Sequence, residues 1–182
     1  MKTVKIVITF LVILSVLFFS TGLIIKDSSY DSQITILKPV DDTFAMFTNV
    51  STITNWNPEY SSVEIVDQKP GITGSSYNII IQHNDQTTIV KEKVLAYVKN
   101  EKLTLFFDRD GVIERDEYSF TAEGNSTIIH LSASYQAKSY ILGCVLPFFK
   151  SKFKNIDEVS LNNFKAFARK CIINNFTVGY TL

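Results

Sequence analysis

LTLFFDRDGVIERDEYSF, residues Leu103 to Phe120, decides how this chain folds. Residue types alternate on both sides of Asp110-Gly111, a dipeptide suited to a tight turn, so the stretch reads as a β-hairpin. A two-residue turn sets Phe107 opposite Glu114, Leu105 opposite Asp116 and Leu103 opposite Tyr118. One face then carries Leu103, Leu105, Phe107, Tyr118 and Phe120, together with Glu114 and Asp116. A carboxylate on an apolar face is costly enough to need a partner, a proton or a cavity.

The neighbouring turns extend the register. Asn84-Asp85 pairs Ile81 with Thr88, Ile79 with Val90 and Tyr77 with Glu92. Asn100-Glu101 pairs Val98 with Leu103, Ala96 with Leu105 and Val94 with Phe107, which sets Glu92 opposite Arg109. Gly124-Asn125 pairs Tyr118 with Leu131, Asp116 with Ala133 and Glu114 with Tyr135. All four hairpins place the apolar residues on one face, and a one-residue slip in any of them would break the agreement. Strand Thr87–Val98 is long enough to hold a bulge, which would change the phase within it.

The predicted order is strand Ser32–Leu37, short helices Val40–Asn49 and Ser51–Trp56, six strands between Val63 and Tyr135, and a long helix from Pro147 to Asn174. Phe149, Phe153, Ile156, Phe164, Phe167 and Cys171 form one apolar stripe on that helix, interrupted by Ser160 beside Asn163. Sheet and helix both turn polar part-way along, which predicts a cavity between them.

This order resembles the helix-grip fold of the SRPBCC superfamily, which includes START domains, polyketide cyclase-like proteins and the pathogenesis-related pollen allergens. The likeness covers nearly all of Ser32 to Ala168 and is most specific in SQITILKPVDDTFAMFTNVSTITNWNPEY, residues Ser32 to Tyr60. Ile34, Ile36, Pro39, Phe44, Phe47, Trp56 and Pro58 occupy the family's strand, Pro-bearing turn, inward aromatic and Trp-Pro positions. The resemblance implies an α+β helix-grip fold: a curved seven-stranded antiparallel sheet around a long C-terminal helix, with two short helices after the first strand. It implies a small apolar ligand, a lipid or polyketide-like molecule, in the cavity between them. It carries over no catalytic signature.

Ile6 to Ile25 contains no charged residue and is long enough, at ~30 Å, to cross a bilayer core. Lys2 and Lys5 before it favour a cytoplasmic N-terminus and an extracytoplasmic domain. A signal peptide cut near Ser20-Thr21-Gly22, releasing a secreted domain, is the rival reading. The expected organisation is therefore 1–25 membrane segment, 26–31 linker, 32–174 helix-grip domain and 175–182 C-terminal tail. Formal net charge is zero and the 18 basic residues are scattered, which argues against nucleic-acid binding. His83 and His130 read as surface residues, and no zinc motif, phosphate loop or nucleophile signature is present, so no metal and no cofactor is expected. Cys144 and Cys171, at opposite ends of the predicted helix, are too far apart for a disulfide. No protein partner is indicated.

The candidate ligand-binding residues are Tyr77, Leu105, Phe107, Glu114, Asp116, Tyr118, Leu131, Ala133, Tyr135, Ile156, Ser160 and Phe164. Asp116, deeper than Glu114, is the leading acid or base should the protein be an enzyme, a cyclase, dehydratase or hydrolase. Tyr118, Tyr135 and Ser160 are its expected partners. A structural or interaction module with a filled core is the third reading.

Overall fold

The structure, a computed structural model, describes residues 2–24, 27–83 and 86–177, without the side chains of 24 and 172–177. Helix α1 (Lys2–Ile24) precedes strand β1 (Asp27–Ile36). Helix α2 (Val40–Phe47) and a 3₁₀ segment (Val50–Asn55) follow. Six strands come next: β2 (Ser62–Asp67), β3 (Ser76–His83), β4 (Gln86–Val98), β5 (Lys102–Arg109), β6 (Val112–Glu123) and β7 (Ser126–Ala137). Helix α3 (Tyr140–Val145), a 3₁₀ turn (Leu146–Phe149) and helix α4 (Lys150–Thr177) complete the chain.

The strands form one antiparallel sheet in the order β1-β7-β6-β5-β4-β3-β2, so every hairpin joins neighbours and β1 closes the far edge on β7. Pro39 ends the β1 turn and leads into α2, whose Asp41 and Asp42 lie where a helix dipole favours negative charge. The β6–β7 turn has Gly124 at φ +59°, the positive value a two-residue II′ turn needs at its first central position. The β5–β6 and β6–β7 registers are those expected: Leu105 faces Asp116, Phe107 faces Glu114, and Asp116 faces Ala133. Tyr77 likewise faces Glu92 in β3–β4; the Asn84-Asp85 turn itself lies outside the described residues.

The β4–β5 hairpin differs from expectation. Its connection has three residues, with Val98 facing Lys102 and Asn100 at φ +66°. A bulge at Leu95 then absorbs one residue, so Val94 faces Leu105 and Glu92 faces Phe107, not Arg109. The bulge reverses the phase beyond it. Tyr97 turns toward the cavity, while Ala96 and Val98, expected inside, turn away; Val98 is exposed. Residues before the bulge keep the expected phase, which holds Glu92 inside.

Two further expectations are corrected. Residues 27–31 belong to β1, not to a linker, because Ser28, Tyr30 and Ser32 bury alternate side chains against the domain. The C-terminal helix starts at Lys150, since Pro147 sits in the 3₁₀ turn between α3 and α4, and α4 runs on through the expected tail to Thr177; residues 178–182 lie outside the described residues. Cys144 and Cys171 are free thiols.

The core is aromatic at one end. Phe47 packs on Trp56, Tyr118 and Phe164 at ring separations of 5.1, 4.9 and 4.9 Å. Phe44 packs edge-on against Phe120 at 4.9 Å. These contacts bind α2 and the inner face of α4 to the sheet and fill that end of the grip.

Candidate functional site

The opposite half of the grip is not filled. A cavity of about 80 Å³ lies between the inner faces of β3–β6, the Phe47–Tyr60 segment and the middle of α4. Apolar walls come from Val94, Leu103, Leu105, Phe107, Ile156 and Leu161, and aromatic ones from Trp56, Tyr60, Tyr77, Tyr97 and Tyr118. Five carboxyl residues line it as well: Glu59, Glu92, Glu114, Asp116 and Asp157. Arg109 is the one cationic residue among the lining residues.

A second cavity of about 170 Å³ shares Glu59, Arg109, Glu114, Ile156 and Asp157 with the first. It extends toward Asp110, Val112, Tyr135 and Phe153. The Arg109–Glu114 pair therefore stands between two lobes. The second lobe lies at the end of the sheet where α3 packs, because Leu142 abuts Gly111 and the Lys138 N–H donates to the Gly111 carbonyl at 2.8 Å.

The polar groups form a chain. Tyr135 donates to Glu114 Oε1 at 2.6 Å, and Tyr30 donates to Asp157 Oδ2 at 2.6 Å. The Tyr30 and Tyr135 hydroxyls are 3.1 Å apart, which links β1, β7, β6 and α4. Arg109 Nε lies 2.8 Å from Glu114 Oε2; this is an ion pair by distance, with the N–H aimed off the hydrogen-bond direction. Asp116 is buried and has only a long contact, 3.4 Å from the Tyr118 hydroxyl to Oδ2. Asp116 Oδ1 is buried with no hydrogen-bond partner among the described residues. Glu114, Asp116 and Asp157 each place an oxygen within 4.8 Å of the others.

Burial sets the electrostatics. It raises Glu92 to about 7 and Asp157 to about 7, the Tyr30 hydrogen bond opposing the shift at Asp157. Burial raises Glu114, while Arg109 and Tyr135 pull it back. Asp116 is raised well above the ordinary range, by burial first and then by the neighbouring Glu114 and Asp157 charges. Burial alone would lower Arg109, but Glu114 beside it more than offsets this and keeps the guanidinium charged. Near neutral pH the cluster therefore holds shared protons around one fixed cation.

Of the residues expected from sequence, Tyr77, Leu105, Phe107, Glu114, Asp116, Tyr118, Ile156 and Ser160 line the first cavity. Tyr135 lines the second lobe and serves Glu114, not Asp116. Leu131, Ala133 and Phe164 are not among the lining residues; all three are fully buried in packed core. Ser160 makes no side-chain hydrogen bond among the described residues, and the polar group that α4 contributes is Asp157. Periodicity carried that signal, since Asp157 lies three residues before Ser160 and shares its face. Tyr30 was hidden by starting β1 at Ser32, and Tyr60 lies in a connection with no periodicity to read.

Curved sheet, gripped long helix and the cavity between them settle the architecture. The chain has the helix-grip fold. Ara h 8.0201 is similar at a TM-score of 0.65 and 12% identity, covering 79% of this chain and 99% of that one. Zhui aromatase/cyclase from a Streptomyces species is similar at 0.65 and 11% identity, covering 80% and 96%. A START superfamily protein from Mycobacterium smegmatis gives 0.64 and 12% identity, covering 79% and 98%. At such identities the likeness establishes the fold alone. No protein-family model matches the sequence, and no curated protein matches it.

Proposed function

We propose that this protein binds a small, largely apolar molecule in the cavity between β3–β6 and α4, in a domain tethered to a membrane by α1 on the extracytoplasmic side. The observation that carries the reading is Asp116 Oδ1, a buried acceptor without a hydrogen-bond partner among the described residues, on the wall of a cavity with apolar and acidic walls. Unpaired buried carboxyl oxygens are rare in filled cores, which supports a ligand at this wall. Similar folds include an aromatase/cyclase and a START superfamily protein, which supports a cavity-based role. The tether is supported by α1, whose apolar stretch has no buried residue. Its C-terminal half packs on α3: Thr21 Oγ1 donates to the Cys144 carbonyl at 3.1 Å, and the Tyr140 hydroxyl donates to the Phe19 carbonyl. Phe148 flanks Leu14, Leu17 and Phe18 and is exposed, as is Ile141, as suits side chains beside a membrane span.

The test is to purify the full chain in detergent and identify co-purified small molecules by mass spectrometry, alongside Leu105→Trp, which fills the cavity from β5. The expected result is a bound molecule lost in Leu105→Trp. A wild-type protein that carries nothing and binds no apolar probe would sink the reading. Intact mass of the membrane-fraction protein separates an uncut anchor from a cleaved signal peptide.

A second reading is favoured by the same residue. Asp116 is a buried carboxyl raised by burial, with Oδ1 lacking a hydrogen-bond partner among the described residues, which suits a general acid in a cyclase, dehydratase or hydrolase. An enzyme would lose turnover in Asp116→Asn with ligand still bound, whereas a carrier would change in affinity only.

A further inference from the structure

Resting on the cavity reading above, we infer that the ligand carries a protonated amine, which Asp116 Oδ1 receives. The balance of acceptors over donors in the walls carries this. Five carboxyl residues face the cavity against one guanidinium, and Arg109 is already engaged by Glu114. Among the described residues no lysine or histidine lines it. A fatty-acid or phosphate headgroup would meet acidic side chains with no free cation to receive it. Asp116 offers a buried oxygen with no hydrogen-bond partner among the described residues. Glu92, buried on the neighbouring part of the wall, makes no side-chain hydrogen bond or ion pair among the described residues. An amine entering the site can take up the Asp116 proton, and the ammonium N–H so formed supplies the missing donor beside the carboxylate left behind. Trp56, Tyr60 and Tyr118 present aromatic surface to the same space, which suits a cation with an apolar body.

A bare metal ion fits less well. Both Glu114 oxygens are occupied, by Tyr135 and Arg109. Asp116 and Asp157 alone fall short of the roughly six oxygens that a hard divalent cation collects. Size narrows the class further. At about 80 Å³ the cavity is smaller than a benzene-binding cavity of roughly 150 Å³, so the first lobe takes a compact amine, not a long acyl chain.

The experiment uses the full chain in uncharged detergent micelles and three compact matched probes: 3-fluoropropylamine, 3-fluoropropanol and 3-fluoropropanoate. Fluorine NMR titration gives each affinity, and displacement in Leu105→Trp assigns binding to the cavity. The amine is expected to bind at least about tenfold more tightly than the alcohol, with the carboxylate weakest. Asp116→Asn brings the amine-to-alcohol ratio close to one; Glu92→Gln lowers the same ratio should Asp116→Asn not fold. Equal binding of amine and alcohol, or preference for the carboxylate, overturns the amine inference and leaves the cavity reading standing. Binding of none of the three overturns both. A wild-type preference that neither variant reduces places the amine elsewhere and overturns the assignment to Asp116.

Discussion

Arg109 reaches Glu114 at 2.8 Å and leaves Asp116, two residues further along the same face of β6, with a buried oxygen that has no hydrogen-bond partner among the described residues. Two carboxyls that look alike in sequence therefore have different roles. Glu114 belongs to a network of Arg109, Tyr135, Tyr30 and Asp157 that ties sheet to helix. Asp116 faces the cavity.

Breaking that pair from one side is expected to destabilise the fold. Arg109→Met strands a buried carboxyl, costing about 2–4 kcal/mol in chemical denaturation, the lower end reflecting the partial exposure of Arg109. Arg109→Met with Glu114→Gln should recover most of the loss. A double mutant no better than the single one would mean that the ion pair is not the source of the effect.

Stability should fall as pH rises. Glu92 moves from an ordinary value of 4.5 to about 7, and Asp157 from 3.8 to about 7, while Glu114 and Asp116 are also raised. A carboxyl raised in the folded state binds its proton more tightly there than in the unfolded chain. Its contribution is therefore full below the unfolded value and is lost as pH climbs through the folded one. Thermal unfolding between pH 4.5 and 7.5 should show Tm declining toward the neutral end, opposed by Arg109, with a shallower slope in Glu92→Gln. A Tm that rises throughout that range would contradict the burial of these carboxyls.

Core and cavity positions should respond differently. Phe164→Ala removes a fully buried ring and should cost about 3–5 kcal/mol. Leu105→Trp grows into open volume and should cost less than about 3 kcal/mol while abolishing probe binding. Matched denaturation curves check this; comparable losses at both positions would argue that the cavity is already full.

The apolar end near α1 makes its own prediction. Phe148→Trp in lipid nanodiscs should emit at short wavelength and be quenched by brominated acyl chains, above the background of buried Trp56. Emission typical of water, without bromolipid quenching, would place this end away from the bilayer.

Much of the fold was legible because strand side chains repeat every two residues and two-residue turns leave no freedom of register. LTLFFDRDGVIERDEYSF thus placed Glu114 and Asp116 on the inner face, and the structure keeps them there. The β4–β5 hairpin broke the rule because its turn has three residues and Leu95 bulges, two local departures that alternation alone does not reveal. Tertiary structure alone decided which carboxyl is neutralised. Arg109, Tyr135, Tyr30 and Asp157 come from four different elements, and their meeting depends on how α4 and β1 close over the sheet. Sequence by itself determined that two carboxyls point inward, because facing is a local property of the strand. Whether each finds a partner is a property of distant segments in contact, and so Asp116 was left open only once the chain had folded.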